Sequence, residues 1–400
     1  MISGVAVALP AMGADLAAGA IALSLVETLF LAAAVALLLP AGRLSDAADK
    51  AALYKGGMAA FALVSIATGL ASSMGAILAM RFVQGACSAA VQAAGPAIIA
   101  DAVPPERRGR AYGITIGAVL ALLAPIHFML PARWRRPAAR AVHLPSSVLV
   151  IVAMLALVGG AATVREGALG YAGVTLGVAL LLAFVHAQRR LERPLLNVPV
   201  LAQNHVLRNA LVVQWLLYCN AFGTVFLLSL YMQTVLGRTP ETAGGVLAIG
   251  TLLMAAIAPL AGILADRARP ALIAASGVGV VLVAALGATT LGAGAPLLAV
   301  GLVLAVQGVG FAFFSSPNMT MVMNAVPPER TGIAAALSAS ARSLGMVSGM
   351  LIVGALVSIN LGHEPIGADP ARFIATMHTS FWILAAVTGA ALALSLLRIR

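Results

Sequence analysis

Long runs of apolar residues, separated by short polar connections, dominate this chain. Most reach the ~20 residues that a helix needs to cross the ~30 Å hydrocarbon core of a bilayer. The runs do not alternate between apolar and polar residues, as the strands of a membrane barrel would, so we predict an all-α integral membrane protein. The thirteen segments are roughly 1–20, 21–41, 56–73, 75–100, 111–131, 146–164, 168–187, 209–236, 243–265, 271–292, 296–323, 332–359 and 376–397.

The composition agrees with a chain that lies in lipid. Hydrophobic residues make up 62% of the 400 residues and charged residues 9%, whereas soluble domains carry about 25% charged residues. The net charge of +11 is spread over short connections and forms no compact basic domain. We therefore expect the lipid bilayer, and no nucleic acid, as the partner of these charges.

The distribution of Lys and Arg predicts the orientation. Of the 24 basic residues, 19 lie in one set of stretches, three lie in the other connections, and Arg81 and Arg342 lie inside apolar segments. Because positive loops stay in the cytoplasm, we expect a multi-pass protein of the cell inner membrane with a cytoplasmic C-terminus. The basic stretches are 41–55, 101–110, 132–145, 188–208, 266–270, 325–331 and 398–400.

Segment 111–131 breaks this alternation, because basic stretches flank it on both sides. Three explanations stay open: the segment is re-entrant, the positive-inside rule fails here, or about one helix is missing. The first segment is also short, since Asp15 leaves a helical rise of only ~21 Å before it. We expect the first helix to begin upstream of Met1.

Two sequence motifs recur at nearly the same spacing. GRLSD at 42–46 resembles GILAD at 262–266, offset by 220 residues, and AVPPER at 102–107 recurs at 325–330, offset by 223. Two similar halves in parallel, with the substrate between them near the midplane, are the plan of major facilitator transporters. We predict an N-terminal helix bundle (1–145), two inserted central helices (146–188) and a C-terminal helix bundle (189–400).

The motifs resemble those of one family, the fourteen-helix drug:proton antiporter branch of the major facilitator superfamily, over nearly the whole chain. VAVALPAMGADL (5–16) is similar to the end of its first helix, GRLSDAADKAALYKGG (42–57) to its signature loop, and RFVQG (81–85) to its fourth-helix signature. The resemblance implies that segments 146–164 and 168–187 are the two extra helices.

The chain departs from this pattern in three places, the first being the early part of the first helix, where the acidic residue that members of this branch often carry is not seen. Ala47 stands where the family loop usually has Arg. Segment 111–131 keeps Gly113, Gly117 and Pro125 but lacks the Gly-Pro and Gly-Gly pairs of the antiporter signature in the fifth helix. We hypothesise that the end of the fifth helix and the start of the sixth are deleted.

Two buried charges are candidates for proton coupling. Glu27 is the only carboxylate of segment 21–41, and a carboxylate buried in lipid favours the protonated form. Arg81, Gln84, Ser88 and Gln92 follow at helical spacing and share one face. The resemblance implies that Arg81 is a proton-relay arginine. In the alternative reading, Glu27 bonds a neighbouring helix or lies close enough to the outer interface to be hydrated. Arg81 is then a structural cation that bonds backbone carbonyls or Glu27.

The repeated charged motif is a candidate latch on the cytoplasmic side. It consists of Gly42, Arg43, Asp46 and Lys50 in the first copy, and of Asp266 and Arg267 in the second. The resemblance implies a latch between helices, and Asp46 is also suited to cap a helix N-terminus. The alternative is a solvated orientation signal.

Several polar residues are candidates for lining a substrate cavity. Uncharged polar side chains in membrane helices more often bond neighbouring helices, and Arg342 has the alternative reading of a packing residue that reaches the cytoplasmic side. The candidates are Arg342, Gln307, Asn318 and Asn220.

The chain has no Walker loop, dinucleotide fingerprint or metal-ligand spacing. We therefore expect no enzyme and no cofactor, with energy supplied by a proton gradient. The leading hypothesis is proton-coupled export of hydrophobic or cationic small molecules (multidrug efflux) by alternating access. The alternatives are a narrow-specificity metabolite facilitator and a truncated member that does not transport. The resemblance adds a periplasmic adaptor of an efflux machine as a candidate partner.

Overall fold

The computed structural model describes residues 20–117, 143–163, 167–191, 203–361 and 369–397. Within these ranges the chain is helical and contains no strand, which confirms the predicted all-α fold. The helices are α1 (Ala20–Ala47), α2 (Lys50–Gly69), α3 (Met74–Ala102), α4 (Arg108–Gly117), α5 (Leu144–Thr163), α6 (Ala168–Arg190), α7 (His205–Thr234), α8 (Pro240–Arg267), α9 (Pro270–Ala288), α10 (Leu297–Asn324), α11 (Thr331–Leu361) and α12 (Pro370–Leu396).

Ten helices of the described part are long and apolar enough to cross a membrane. The mean hydropathy of their most apolar windows ranges from 1.4 to 2.3. Since a helix satisfies its own backbone groups, such segments are stable in hydrocarbon. The prediction of a multi-pass membrane protein is confirmed.

The charged motifs lie in helices, not in the loops predicted from the sequence. Helix α1 continues through Ala47, and the N–H of Ala48 still donates to the carbonyl of Leu44. Asp49 then caps α2, because its side chain accepts hydrogen bonds from two backbone N–H groups of the first turn. The apolar pattern predicted too short a helix for α1, because a helix can extend beyond the hydrophobic region as long as its backbone hydrogen bonds continue.

Two other sequence expectations cannot be compared with this structure. Segment 111–131 is described only as far as Gly117, the last residue of α4, so the hypothesised deletion lies outside the described residues. The first segment, 1–20, is described only at Ala20.

The internal repeat is visible in the helix boundaries. Helices α1 and α8 begin and end 220 residues apart, and α2 and α9 begin at the same offset. Helices α3 and α10 begin 223 residues apart, as do α4 and α11. The two sequence motifs therefore belong to a structural repeat of at least four helices.

The chain forms two compact units that do not follow chain order. One contains Met1–Asp101, Pro125–Gln203 and Val326–Ser340, and the other contains Ala102–Ala124, Asn204–Ala325 and Ala341–Arg400. The start of α11 thus belongs to a unit built mainly from the first half, and α4 belongs to the unit built from the second half. The three consecutive domains predicted from the sequence stay a prediction.

The two central helices form a close hairpin in the first unit. A Cβ atom on Gly160 of α5 would lie 2.6 Å from the carbonyl carbon of Gly173 of α6, and one on Gly177 would lie 2.6 Å from the backbone nitrogen of Leu157. Small residues at such crossings let membrane helices approach closely. The hairpin packs against α1 through α5.

Candidate functional site

The charged residue of the first motif copy binds the start of a distant helix. Asp46, in the last turn of α1, accepts hydrogen bonds from the backbone N–H of Gly332 at 2.6 Å and of Ile333 at 2.9 Å. These N–H groups lie in the first turn of α11, where no carbonyl within the helix can accept them. The carboxylate also faces the positive end of the helix dipole. We call this arrangement the first capping site.

The second motif copy makes the same contacts. Asp266, in the last turn of α8, accepts hydrogen bonds from the backbone N–H of Gly109 at 2.7 Å and of Arg110 at 2.8 Å. These groups lie in the first turn of α4. Asp46 and Asp266 correspond in the repeat, and so do the helix starts that they bind. We call this arrangement the second capping site.

Glycine makes both capping sites possible. A Cβ atom on Gly332 would lie 2.6 Å from Oδ1 of Asp46 and 2.7 Å from the carbonyl oxygen of Gly42. A Cβ atom on Gly109 would lie 2.5 Å from Oδ1 of Asp266 and 2.7 Å from the carbonyl oxygen of Gly262. Any other residue at Gly332 or Gly109 would force the carboxylate and the capped helix apart.

Lys50 supports the first capping site. Its side chain is only 7% exposed, and its Nζ donates to Oδ2 of Asp101 at 2.8 Å and to Oγ1 of Thr331 at 2.7 Å. Asp101 ends α3 and Thr331 begins α11, so Lys50 joins these two helix ends. The ammonium is neutralised by the carboxylate, as a buried charge requires.

The remaining residues of the predicted latch differ in exposure. Gly42 is buried against the start of α11. Arg43 is half-buried, and Arg267 is exposed at the end of α8. The structure thus brings Gly42, Asp46 and Lys50 together around one helix start.

A second polar cluster surrounds Arg81 of α3, which is 5% exposed. Its Nε donates to the carbonyl oxygen of Val26 of α1 at 3.0 Å, and its Nη1 donates to Oε1 of Gln84 at 3.0 Å. The guanidinium carbon lies 4.6 Å from the ring centre of Phe30, a cation–π contact. Nε2 of Gln84 donates to Oγ of Ser65 in α2 at 3.0 Å, so the cluster connects α1, α2 and α3.

The other two predicted coupling residues are placed as follows. Gln92 donates through Nε2 to Oγ of Ser88 at 3.0 Å, one helical turn away on the predicted face. Glu27 belongs to α1 by its backbone, directly after Val26, and its side chain lies outside the described residues.

The predicted cavity residues of the second half form two separate contacts. Asn220 is fully buried; its Oδ1 accepts from Nε2 of Gln307 at 3.2 Å and from Oγ1 of Thr224 at 3.3 Å. Asn318 donates to Oε1 of Gln214 at 3.0 Å. Arg342 is half-buried in α11. The hydrogen bonds of Gln307 and Asn318 join α10 to α7, which agrees with the interhelical bonding expected of such residues.

Sequence reasoning missed the partners of the charged residues. Asp101, Thr331 and the glycines at 109 and 332 were not singled out. A signal was present, because the repeated PPER motif is followed in both copies by one residue and then by glycine. Two corresponding glycines at helix starts indicate two corresponding close approaches.

These features define a polytopic membrane protein made of two homologous helical halves, the construction of secondary transporters. The sequence profile described as Major Facilitator Superfamily matches residues 1–350 and 210–400. The chain belongs to this superfamily, and it is a transporter and not an enzyme.

Several curated relatives align over most of their length. The riboflavin transporter RibZ of Clostridioides difficile (strain 630) is 24% identical, over 95% of this chain and 90% of its own. The tetracenomycin C resistance and export protein of Streptomyces glaucescens is 27% identical, over 90% and 73%. The puromycin resistance protein pur8 of Streptomyces alboniger is 28% identical, over 87% and 76%.

Solved structures support the fold alone. A bacterial homologue of the iron transporter ferroportin, in its outward-facing state, gives a TM-score of 0.59 at 13% identity and covers 99% of this chain and 93% of that one. The human organic anion transporter MFSD10 gives a TM-score of 0.57 at 13% identity, over 97% and 88%.

Proposed function

We propose that this transporter exports hydrophobic or cationic compounds by alternating access, in exchange for protons. Two of the relatives described above are named for resistance to tetracenomycin C and puromycin, and another is the multidrug resistance protein Stp of Mycobacterium tuberculosis, 26% identical over 88% of this chain and 72% of its own. Resistance to antibiotics or drugs is what these names share, and the first of them also names export.

The position of Arg81 is the observation that supports proton coupling. Its guanidinium is held 3.0 Å from the carbonyl oxygen of Val26, the residue directly before Glu27. A buried cation stabilises a negative charge that comes close to it. In the proposed cycle Glu27 binds a proton in one orientation of the transporter and releases it in the other. Arg81 would stabilise the carboxylate after release.

The capping sites fit the same cycle. Each binds a helix start from one half of the sequence to a helix end from the other half, through hydrogen bonds to a carboxylate. Charge-assisted hydrogen bonds of this kind are strong enough to favour one conformation and weak enough to break. The excess of Lys and Arg in the sequence stretches 41–55 and 266–270, which include Asp46 and Asp266, supports a cytoplasmic position for both sites in the inner membrane.

The test is dye efflux from energised cells that express the chain. We expect wild type to export a cationic dye, and we expect Glu27→Gln, Arg81→Gln and a protonophore each to stop export. Arg372→Gln serves as the control, since it removes an exposed arginine that belongs to neither the Arg81 cluster nor the candidate cavity residues. Wild-type export that persists with the protonophore would refute proton coupling. No export at all, with the protein present in the membrane, would favour the transport-incompetent alternative.

A narrow-specificity metabolite transporter is the second candidate. The relative named as a riboflavin transporter favours it, because the alignment covers 95% of this chain. Uptake and efflux of a panel of labelled metabolites, riboflavin included, separates the two candidates. Transport of one metabolite without transport of any dye would support this second candidate.

A further inference from the structure

The two capping sites carry their supporting cations on different helices. At the first site the cation is Lys50 of α2, which bonds Asp101 at the end of α3 and Thr331 at the start of α11. By the repeat offsets, the corresponding residues of the second site are Pro270, Asn324 and Arg108. Proline has no charge, so the lysine has no counterpart on α9.

The second site has its cation on the capped helix itself. Nη1 of Arg108, the first residue of α4, donates to Oδ1 of Asn324 at the end of α10. Its Nε donates to the carbonyl oxygen of Val103 at 3.1 Å, which fixes the side chain. Arg108 therefore occupies the place of Thr331 and makes the connection that Lys50 makes at the first site.

The difference between the two capping sites, Lys50 in one and Arg108 in the other, is matched by the charge of the group that each cation binds. At the first site the acceptor is the carboxylate of Asp101, which neutralises a buried ammonium. At the second site Arg108 donates to the neutral amide of Asn324, and because this hydrogen bond is exposed, water helps to screen the guanidinium. Both arrangements connect the end of the third helix of a repeat to the start of the helix that its aspartate caps.

We propose that Arg108 is the positioning residue of the second capping site. It ties the start of α4 to the end of α10 and so holds the N–H groups of Gly109 and Arg110 against Asp266. Its effect on transport rests on the proposed function, but its effect on the capping site does not. Buried cysteines can therefore test it without any transport assay.

Two corresponding positions provide the probes. Ala265 is next to Asp266 and 3% exposed, and its counterpart Ser45 is fully buried beside Asp46. Since serine fits at one of these positions, a cysteine of similar size should fit at both. In a protein with Cys87→Ser and Cys219→Ala, Ala265→Cys reports on the second site and Ser45→Cys on the first. The readout is the rate of labelling by a maleimide in membranes.

Arg108→Thr introduces the residue of the first site and removes the connection. We expect labelling of the cysteine at 265 to accelerate about fivefold, as the loss of one hydrogen bond to a charged group permits, while labelling at 45 stays the same. Arg107→Thr is the matched control, because Arg107 is an exposed neighbouring arginine, and it should change neither rate.

The decisive variant rebuilds the second site as a copy of the first. Arg108→Thr with Asn324→Asp and Pro270→Lys supplies all three residues of the first site, and Pro270 is the first residue of α9, where its replacement removes no helix hydrogen bond. We expect labelling at 265 to return to within about twofold of wild type. A purely local structural effect of Arg108 would not be rescued from α9 and α10.

Three results would overturn the proposal: an unchanged rate at 265 in Arg108→Thr, an equal rise at 45, or a triple variant as reactive as Arg108→Thr. Efflux is measured on the same variants. If labelling follows the expected pattern and the wild type exports no compound, the proposed function fails and the role of Arg108 stands. If the wild type exports dye and labelling does not change, only the role of Arg108 fails.

Discussion

Corresponding positions of the two halves carry a glutamine, Gln84 in α3 and Gln307 in α10, but the surroundings of the two glutamines differ. Gln84 accepts from Arg81 and donates to Ser65. The counterpart of Arg81 is Leu304, and Gln307 donates to the neutral Asn220.

The hydroxyl groups follow the same division. Ser65 and Thr68 of α2 both lie within 3.4 Å of Nε2 of Gln84, whereas their counterparts in α9 are Ala285 and Ala288. The first half therefore stabilises a buried charge, and the second half connects helices through neutral groups. A buried charge is costly in lipid and marks function more often than a neutral hydrogen bond does. We expect coupling to depend on the first half and stability to depend on both.

The largest expected effect comes from giving the first half the residue of the second. Arg81→Leu removes the charge, and with it the hydrogen bonds that Arg81 donates to the carbonyl oxygen of Val26 and to Oε1 of Gln84. We expect the initial rate of proton-driven dye efflux to fall at least about tenfold, the size expected for a lost charge-assisted hydrogen bond. The measurement is efflux per amount of protein in the membrane.

Leu304→Met is the control for this change, since it alters the corresponding position of the second half without adding a charge. It should leave efflux close to wild type. Equal losses in Arg81→Leu and Leu304→Met would contradict a division of labour between the halves.

The second prediction concerns the neutral cluster. Asn220→Leu deprives Gln307 and Thr224 of their shared acceptor inside the second unit. Each buried polar group left without a partner costs about 1–3 kcal/mol. We expect a clearly lower midpoint of thermal unfolding in detergent.

A double-mutant cycle gives the control. Asn220→Leu combined with Gln307→Leu should destabilise by less than the sum of the single changes, because removing both partners leaves fewer unsatisfied groups. Strict additivity would show that the contact between Asn220 and Gln307 contributes nothing.

The sequence predicted the fold well because apolar length and the two repeated motifs carry that information locally. It also indicated that Asp46 is suited to cap a helix. It could not identify the helix, since Gly332 is 286 residues away along the chain. The acceptor of Arg81 was equally hidden, because the carbonyl of Val26 is a backbone group and leaves no residue signature. Long-range contacts to backbone atoms therefore required the structure.

The third prediction concerns a feature in which the halves agree. In Gly332→Ala the new Cβ atom would lie 2.6 Å from Oδ1 of Asp46, so the carboxylate and α11 must separate. We expect a loss of about 1–3 kcal/mol in the free energy of unfolding, the usual cost of overpacking. Gly279→Ala in α9 is the control, because nothing lies within 4 Å of a Cβ atom there. Gly279→Ala should be neutral or stabilising by up to about 1 kcal/mol, from the higher helix propensity of alanine.

The smallest effect on efflux is expected when a single hydroxyl group of the first half is removed, which leaves the residue that the second half has at the same position. Ser65→Ala introduces the residue found at 285 and removes one acceptor of the Gln84 side chain. Gln84 still accepts from Arg81, and its Nε2 keeps a longer contact of 3.4 Å with Oγ1 of Thr68. We expect a loss of about 0.5–1.5 kcal/mol in stability, the net value of one hydrogen bond. Because the charge stays in place, efflux should fall far less than in Arg81→Leu. Thr175→Ala in α6 is the control, since its hydroxyl donates to the carbonyl of Tyr171 in its own helix and Thr175 lies outside the Arg81 cluster. If Ser65→Ala stopped efflux as completely as Arg81→Leu, the hydroxyl and not the charge would be the essential member of the cluster.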